Sequence, residues 1–363
     1  MSGIEGVLHL HYFQDAGYEI DLAALVGLSG ASAPPPAFRA PAADCVRFDP
    51  PPLEQALAPV VLESGETLPA RIRYLANGVM RLELDLPFRC GWEELVTLAA
   101  KWIWSERLDR EAGRILDECA AKSSAAIKRP APRPLREDYA IVEIRRATNE
   151  DGSPSNAPEL VARHGGDIAR IVRGETSPLS AGERDGVLGA SMSYFPSDLF
   201  VAGYAAALVY DEQPEGARPI LEILEYANMQ LLEYRVYDEF LTPVLADVHR
   251  RSSIDIGLWS HWRGGREAGK LNTLRLETME LTERTDNAIK FLGDMYYARA
   301  HRLASARIGA PDYRRLVEEK LGVAGELYRF MMDRSHQASA LVLESIVVII
   351  LIVDLIVLFR GKP

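Results

Sequence analysis

Alternating apolar and polar residues recur through the first 210 positions of the chain. This alternation predicts half-buried strands at residues 7–13, 71–74, 79–86 and 139–145. Asn77 and Gly78 separate the second and third of these runs and favour a tight hairpin turn that pairs them. Residues 191–195 and 199–210 predict two more strands, and the second is almost wholly apolar, which is typical of a central strand.

Apolar residues at three- and four-residue steps predict helices elsewhere. Residues 20–28 and 92–119 follow this period. Ser180 and Glu183 form a capping box that begins a short helix. From residue 215 to Leu245 the period continues, with Pro243 as a predicted kink.

A second long helix is predicted at about residues 270–304, and a third begins near residue 312 after the turn at 309–311. Two long helices joined by a short turn predict an antiparallel helical hairpin. A heptad stripe runs through residues 271–295 and contains Thr and Ala as well as Leu. The stripe fits either an intramolecular core or a homo-oligomeric coiled coil.

The last apolar stretch of the chain is the longest. Sixteen of the nineteen residues at 341–359 are Leu, Ile, Val or Phe. Nineteen helical residues span about 28 Å, close to the hydrocarbon thickness of about 30 Å in a bilayer. A buried core helix is the alternative, but such a helix normally keeps a polar stripe. The pattern therefore predicts a single transmembrane helix that acts as a C-tail anchor.

Acidic and basic residues lie within and after this predicted anchor. Asp354 either contacts a neighbouring anchor helix, takes part in an ion relay or is tolerated away from the helix centre. The two cations that follow the segment can reach lipid headgroups. The residues assigned to the anchor are Leu341, Glu344, Ile346, Ile350, Asp354, Phe359, Arg360 and Lys362.

The average composition of the whole chain is that of an ordinary globular protein. Apolar residues make up 48%, charged residues 26%, and the formal charge is −11. This acidic balance argues against a general nucleic-acid-binding protein, so no direct nucleic-acid contact is expected. The N-terminal residues lack the basic and apolar regions of a secretory signal. We therefore expect a single-pass protein of the cell inner membrane, with its body facing the cytoplasm.

The predicted fold class is α+β, with a mixed-sheet body followed by a long antiparallel helical hairpin that ends in a single transmembrane helix. Five regions make up this prediction. They are an N-terminal α+β region at 1–121, a basic Pro-rich linker at 122–137, a second α+β region at 138–212, a helical hairpin region at 213–340 and the anchor at 341–359.

Two short patterns have the spacing of binding sites. His9 and His11 share one strand face, where they could bind a metal or serve as structural histidines, and further ligands are not visible. Residues 264–270, GGREAGK, match the spacing of a phosphate-binding loop, but Leu271 replaces the Ser or Thr that binds magnesium. Neither set is complete, so no catalytic, cofactor-binding or metal-binding residue and no cofactor is assigned.

Four stretches carry a resemblance to a known family. They are HYFQDAGYEIDL at 11–22, YFPSDLFVAGYAAALVYD at 194–211, LEILEYANMQLLEYRVYDEFL at 221–241 and ESIVVIILIVDLIVLF at 344–359. Together they resemble the required-for-meiotic-nuclear-division family of membrane-anchored proteins. The resemblance implies a non-enzymatic, membrane-tethered body. A mitochondrial relative supports translation, so it also implies the ribosome or translation machinery as a partner.

These observations favour a non-enzymatic, membrane-tethered scaffold. Its expected partners are the lipid bilayer, a second copy of the chain and an unidentified cytoplasmic protein. The anchor, the heptad stripe and the lack of a catalytic constellation support this hypothesis. A nucleotide-using membrane-associated enzyme and an accessory subunit of a membrane complex are the alternatives.

Overall fold

The computed structural model describes most of the first 326 residues and a few positions beyond them. The described residues are 3–29, 50–62, 65–149, 153–213, 216–252, 273, 276, 295–326, 329, 344 and 347–352. They divide into two compact units, one of residues 1–236 with 284–313 and one of residues 237–283 with 314–363.

The first unit is built on an eight-stranded mixed sheet with the order β3-β4-β5-β1-β7-β10-β9-β8. Its strands are β1 Ile4–Asp15, β3 Leu53–Val61, β4 Thr67–Tyr74, β5 Val79–Cys90, β7 Arg136–Ala147, β8 Ser191–Met192, β9 Asp198–Ala202 and β10 Ala206–Asp211. β7 and β10 pair in parallel, and the other neighbours pair antiparallel. A separate two-stranded sheet joins β2 Gly17–Ile20 to β6 Ile127–Pro130.

Helices complete the described structure. They are α1 Leu22–Ser29, α2 Trp92–Ile103, α3 Glu106–Lys122, α4 Ala157–Arg173, α5 Ala181–Leu188, α6 Arg218–Ser252 and α7 Met295–Ile308. A short 3-10 helix occupies Ser124–Ala126, and residues 310–326 form a further helix. Pro243 lies inside α6, and Gly309 adopts a positive φ of 93° between the last two helices.

Strand alternation gives the sheet two different faces. On β1, the side chains of Leu8, Leu10 and Tyr12 belong to a core that also includes apolar residues of α2, α3 and α4. Phe13, on the opposite face, belongs to a second core with apolar residues of α6 and α7. His9 and His11 lie on this second face as well, in the part of it that carries polar side chains.

The strand predictions for the first half of the chain are confirmed. Residues 7–13 lie in β1, residues 71–74 in β4, residues 79–86 in β5 and residues 139–145 in β7. β4 and β5 pair antiparallel across Asn77 and Gly78, as the turn signal predicts. Strands from residues 1–121 and from residues 138–212 pair in this one sheet, and β6 lies within residues 122–137.

Two predicted elements are each divided in the structure. The helix predicted at 92–119 is α2 followed by α3, because the Ser105 side chain caps α3 by accepting a hydrogen bond from the Leu108 amide. The strand predicted at 199–210 is β9 followed by β10. The Tyr139 hydroxyl donates to the carbonyl oxygen of Gly203 in the turn between them, at 2.9 Å.

The predicted transmembrane anchor is wrong. Within the part of the chain that the structure describes, no helix combines the length and the apolar character needed to span a bilayer. The helical residues described in the predicted span are Glu344 and 347–352. The fold class ending in a transmembrane helix and the single-pass, tail-anchored localisation are corrected accordingly.

The second unit has its own small core. Leu241 of α6 and Val317 of the helix at 310–326 are both fully buried and pack together. The Lys320 ammonium donates to Asp238 Oδ1 at 2.5 Å and to Thr242 Oγ1 at 2.7 Å. An apolar contact and a charge-assisted one therefore hold these two helical segments side by side.

Candidate functional site

Charged side chains cover half of the sheet face that carries His9 and His11. They occupy alternate positions on five neighbouring strands, because alternate residues of a strand face the same side. We call this set, with one glutamate of α6, the charge network. It consists of His9, Glu54, Arg71, Arg73, Arg81, Glu83, Asp85, Glu143, Arg145 and Glu225.

The inner part of the charge network joins α6 to the sheet. Glu225 of α6 is 1% exposed and accepts hydrogen bonds from Arg81, at 2.9 Å, and from Arg73. Arg73 also donates to Glu54 of β3 at 3.0 Å, and Arg81 pairs with Glu83 of its own strand. Each buried charge on this side therefore has an opposite charge beside it, as burial requires.

The outer part centres on His9. Its Nδ1 lies 2.7 Å from Asp85 Oδ1, and its Nε2 lies 3.0 Å from Glu143 Oε2. Arg71 Nη2 lies 2.5 Å from Glu83 Oε1 and 2.8 Å from Asp85 Oδ2. The imidazole thus bridges β5 and β7, while one guanidinium bridges the two carboxylates of β5.

The charge network is neutral when His9 is protonated. Burial lowers the pKa of His9, but hydrogen bonds to Asp85, Glu143 and Glu83 outweigh it and raise that pKa well above its usual value. The five carboxylates of the network then face four guanidiniums and one imidazolium. This balance explains how so many ionised groups are buried together.

His11 is held in the opposite protonation state. Burial and the positive charge of Arg81 lower the pKa of His11 well below its usual value, so the ring is neutral. Its Nε2 lies 3.8 Å from Glu83 Oε2. Its buried Nδ1 has no hydrogen-bond partner among the described residues. A neutral imidazole with an unused nitrogen therefore borders the network.

Three members of the network have the geometry of metal ligands. One ligand atom from each of His9, Glu83 and Asp85 lies within 4.8 Å of the other two. The two acidic residues come from β5, where Asp85 is opposite His9 and Glu83 is opposite His11. The prediction that the two histidines share a strand face is confirmed, and the sequence analysis missed the acidic neighbours. Alternating charges at residues 81, 83 and 85 were the available signal.

Titration of a nearby carboxyl gives a first testable prediction. Burial and the charge of Glu225 raise the pKa of Glu222 to about 7, against the opposing effect of Arg73. The folded state then binds this proton more tightly than the unfolded state, so stability falls as the pH rises from about 4.5 to above 7. At about 1.4 kcal/mol per pKa unit, the loss is on the order of 3 kcal/mol.

Glu222→Gln removes this titration. The stability difference between the variant and the wild type should therefore shift in favour of the variant by on the order of 3 kcal/mol between pH 4 and pH 8. Urea unfolding at both pH values measures that difference. A difference that does not change with pH would contradict the assignment.

A second surface feature is a group of four aromatic rings, which we call the aromatic surface. It comprises two exposed rings, Tyr194 and Phe195 in the turn before β9, and two rings of α7, of which Tyr296 is buried and Tyr297 is partly buried. The ring centroids of Tyr194 lie 4.7 Å from Phe195 and 5.0 Å from Tyr296, and those of Tyr296 and Tyr297 are 5.3 Å apart.

Tyr194 and Phe195 are each 54% exposed, although they are held in place. The Asp198 carboxylate accepts the amide hydrogens of Tyr194 and Phe195 at 2.8 and 2.7 Å. The turn is therefore fixed by hydrogen bonds while two large rings remain open to solvent. Such a preorganised apolar surface is suited to contact with another molecule.

The structure places few of the residues assigned to the anchor. Glu344 and Ile350 are helical and exposed. The phosphate-loop pattern at 264–270 and most of the heptad stripe at 271–295 lie outside the described residues, as do the other anchor residues, Leu341, Ile346, Asp354, Phe359, Arg360 and Lys362.

Comparison with known proteins identifies a match over the first part of the chain. A family model described as the N-terminal domain of the uncharacterized protein MJ0711 matches residues 5–216. The uncharacterized protein MJ0711 of Methanocaldococcus jannaschii is 18% identical over 189 residues, which cover 52% of this chain and 58% of that relative. No solved structure matches.

The matched residues 5–216 include Tyr194, Phe195 and every member of the charge network except Glu225. The chain covers little more than half of the length of the relative it matches. The resemblance to the required-for-meiotic-nuclear-division family stays a prediction.

Proposed function

The chain belongs to the MJ0711 N-terminal domain family, and we propose that it acts as a non-enzymatic scaffold that self-associates and recruits a protein partner. The observation that carries this proposal is the aromatic surface. Tyrosine and phenylalanine are enriched at the centres of protein interfaces, where their large apolar rings leave water.

The geometry of the aromatic surface supports association in two ways. Apolar area removed from water stabilises a complex by about 25 cal/mol per Å². The Asp198 carboxylate also fixes the turn that carries Tyr194 and Phe195, so little conformational entropy is lost when a partner binds. Because these side chains are already held in position, less of the free energy gained by burying them is offset by the entropy lost in ordering them.

The charge network is consistent with a structural role in this scaffold. Arg73 and Arg81 of the sheet are engaged by Glu225 of α6. Both arginines and the glutamate are buried. Since these groups hold α6 on the sheet, they give the scaffold a rigid body on which to present the aromatic surface.

Self-association provides the test. The full-length chain is measured by size-exclusion chromatography with light scattering over a range of concentrations. The double variant Tyr194→Ser/Phe195→Ser should raise the dissociation constant of the oligomer at least about 30-fold, because loss of a central interface residue costs about 2 kcal/mol or more.

The matched control is Tyr204→Ser. Tyr204 is 65% exposed and lies in the turn between β9 and β10, at the other end of β9. This control should self-associate like the wild type. A monomeric wild type, an unchanged double variant or an equal loss in Tyr204→Ser would contradict the proposal.

A further inference from the structure

The outer part of the charge network contains a cation position that an arginine fills. Arg71 Nη2 lies between Glu83 Oε1, at 2.5 Å, and Asp85 Oδ2, at 2.8 Å. His9 Nδ1 lies close to the same two carboxylates, at 3.6 Å from Glu83 and 2.7 Å from Asp85. The imidazole nitrogen of His9 and the two carboxylates therefore lie close together, at a position next to the positively charged guanidinium of Arg71.

The separations among these donors match those around a small metal ion. Two ligands with metal bonds of about 2.1 Å can be at most about 4.2 Å apart. The distances of 3.6 and 2.7 Å from His9 Nδ1 to the two carboxylates both lie below that limit. All three ligand atoms lie within 4.8 Å of one another, so small side-chain rotations, without movement of the strands, can bring them to one ion.

Glu143 supplies the support that a metal-bound histidine usually has. When one ring nitrogen binds a metal, the other normally donates its hydrogen to a carboxylate or carbonyl oxygen. His9 Nε2 lies 3.0 Å from Glu143 Oε2 on β7. This contact leaves Nδ1 directed at the two carboxylates of β5 and fixes the orientation of the ring.

His11 borders this site, with its Nε2 rather than its unused Nδ1 directed at Glu83. Its side chain is 3% exposed, and its Nδ1 has no hydrogen-bond partner within the described part of the chain. Its other nitrogen, Nε2, points to Glu83, 3.8 Å away. His11 lies beside the same carboxylate that Arg71 engages.

Arg71 is more exposed than Arg73 and Arg81, the other two arginines that pair with acidic residues of β3, β5 or α6. Its side chain is 42% exposed, whereas those of Arg73 and Arg81 are 10% and 4% exposed and are held by Glu225. Because the Arg71 side chain reaches the surface, its guanidinium can turn into solvent, where water hydrates its charge.

We propose that His9, Glu83 and Asp85 bind a divalent transition-metal cation, which displaces the Arg71 guanidinium and the Nδ1 proton of His9, so that two positive charges leave as two enter. Mixed imidazole and carboxylate ligands suit Mn²⁺, Fe²⁺, Co²⁺ or Zn²⁺, whereas Mg²⁺ prefers oxygen ligands and retains its water. The chain is thus a metal-binding protein in addition to the scaffold role proposed above.

The test uses the full-length chain, freed of metal with a chelator and then titrated with Co²⁺ and Mn²⁺. Isothermal titration calorimetry gives the affinity and stoichiometry, and visible absorption of Co²⁺ reports nitrogen and oxygen ligation. The wild type should bind one equivalent, with at least tenfold lower affinity for Mg²⁺.

Two arginine variants separate displacement from general electrostatics. Arg71→Ala should bind Co²⁺ at least tenfold more tightly than the wild type, because the competing charge is gone. Arg145→Ala removes a 58% exposed arginine that pairs with Glu143 instead, and it should change the affinity less than threefold. An equal increase in Co²⁺ affinity in the two variants would overturn the role given to Arg71.

Asp85→Asn removes one ligand and should weaken Co²⁺ binding at least tenfold. If this variant does not fold, the Co²⁺ affinities of Arg71→Ala and Arg145→Ala still test the metal site. A purely structural network predicts that neither the wild type nor Arg71→Ala binds Co²⁺ at millimolar concentration, and that result would overturn the metal site. Binding that is unchanged in a folded Asp85→Asn would overturn it as well.

Discussion

Glu225→Gln is expected to lower the free energy of unfolding by about 3–5 kcal/mol, because it removes the buried carboxylate that two buried guanidiniums share. Glu225 is buried on α6 and receives both Arg73 and Arg81. Glutamine keeps the size of the side chain, so the loss comes from charge rather than from a cavity. Urea unfolding at pH 7 measures the change.

Glu118→Gln is the matched control for this prediction. Glu118 pairs with Arg114 on the surface of α3, where both side chains are more than half exposed. Exposed pairs contribute about 0–1 kcal/mol, so the control should change stability by no more than that. Equal losses in the two variants would show that the charge network does not hold α6 to the sheet.

Gly78→Ala is expected to cost about 2–5 kcal/mol for two independent reasons. Gly78 adopts a φ of 87°, a conformation that costs an L-residue about 1–2 kcal/mol. A Cβ at this position would also overlap the backbone carbonyl of Gly17. Overpacking of this kind adds about 1–3 kcal/mol. Urea unfolding again gives the change in stability.

Gly65→Ala separates these two causes. Gly65 has a similar φ of 91°, but its Cβ would point into open space. This variant should lose only the conformational part, about 1–2 kcal/mol. A loss in Gly65→Ala as large as that in Gly78→Ala would show that the contact with Gly17 contributes nothing.

Local patterns were sufficient to predict most of the sheet. Alternation places residues 7–13 on a strand and His9 and His11 on one face, and both features are found in β1. Asn77 and Gly78 predict the hairpin between β4 and β5 because a positive φ is required there, and Gly78 has one. Signals of this kind act over a few residues.

The charge network could not be predicted in the same way. Arg73 and Glu225 are 152 positions apart, and the pairing of β1 with β5 sets His9 opposite Asp85. Side-chain alternation shows that charged residues share a face, but only the register between strands shows which of them meet. The sequence therefore contained the ligand types of the candidate metal site without their arrangement.

Two predictions made from hydrophobicity alone were wrong. The apolar run at 199–210 suggested one strand, whereas a turn at Gly203 folds it into the antiparallel pair β9 and β10. The apolar run at 341–359 suggested a transmembrane helix, and the described residues contain no helix able to cross a membrane. Apolar composition favours burial but does not specify where or in what element a residue is buried.

The scaffold proposal is tested most directly by site-specific photo-crosslinking in intact cells. A benzoylphenylalanine replaces Phe195 of the aromatic surface in one form of the full-length chain and Tyr204 in another. The proposal predicts a discrete crosslinked protein, a second copy or a partner, from position 195 and none from position 204. No adduct at position 195, or the same adducts from both positions, would contradict it.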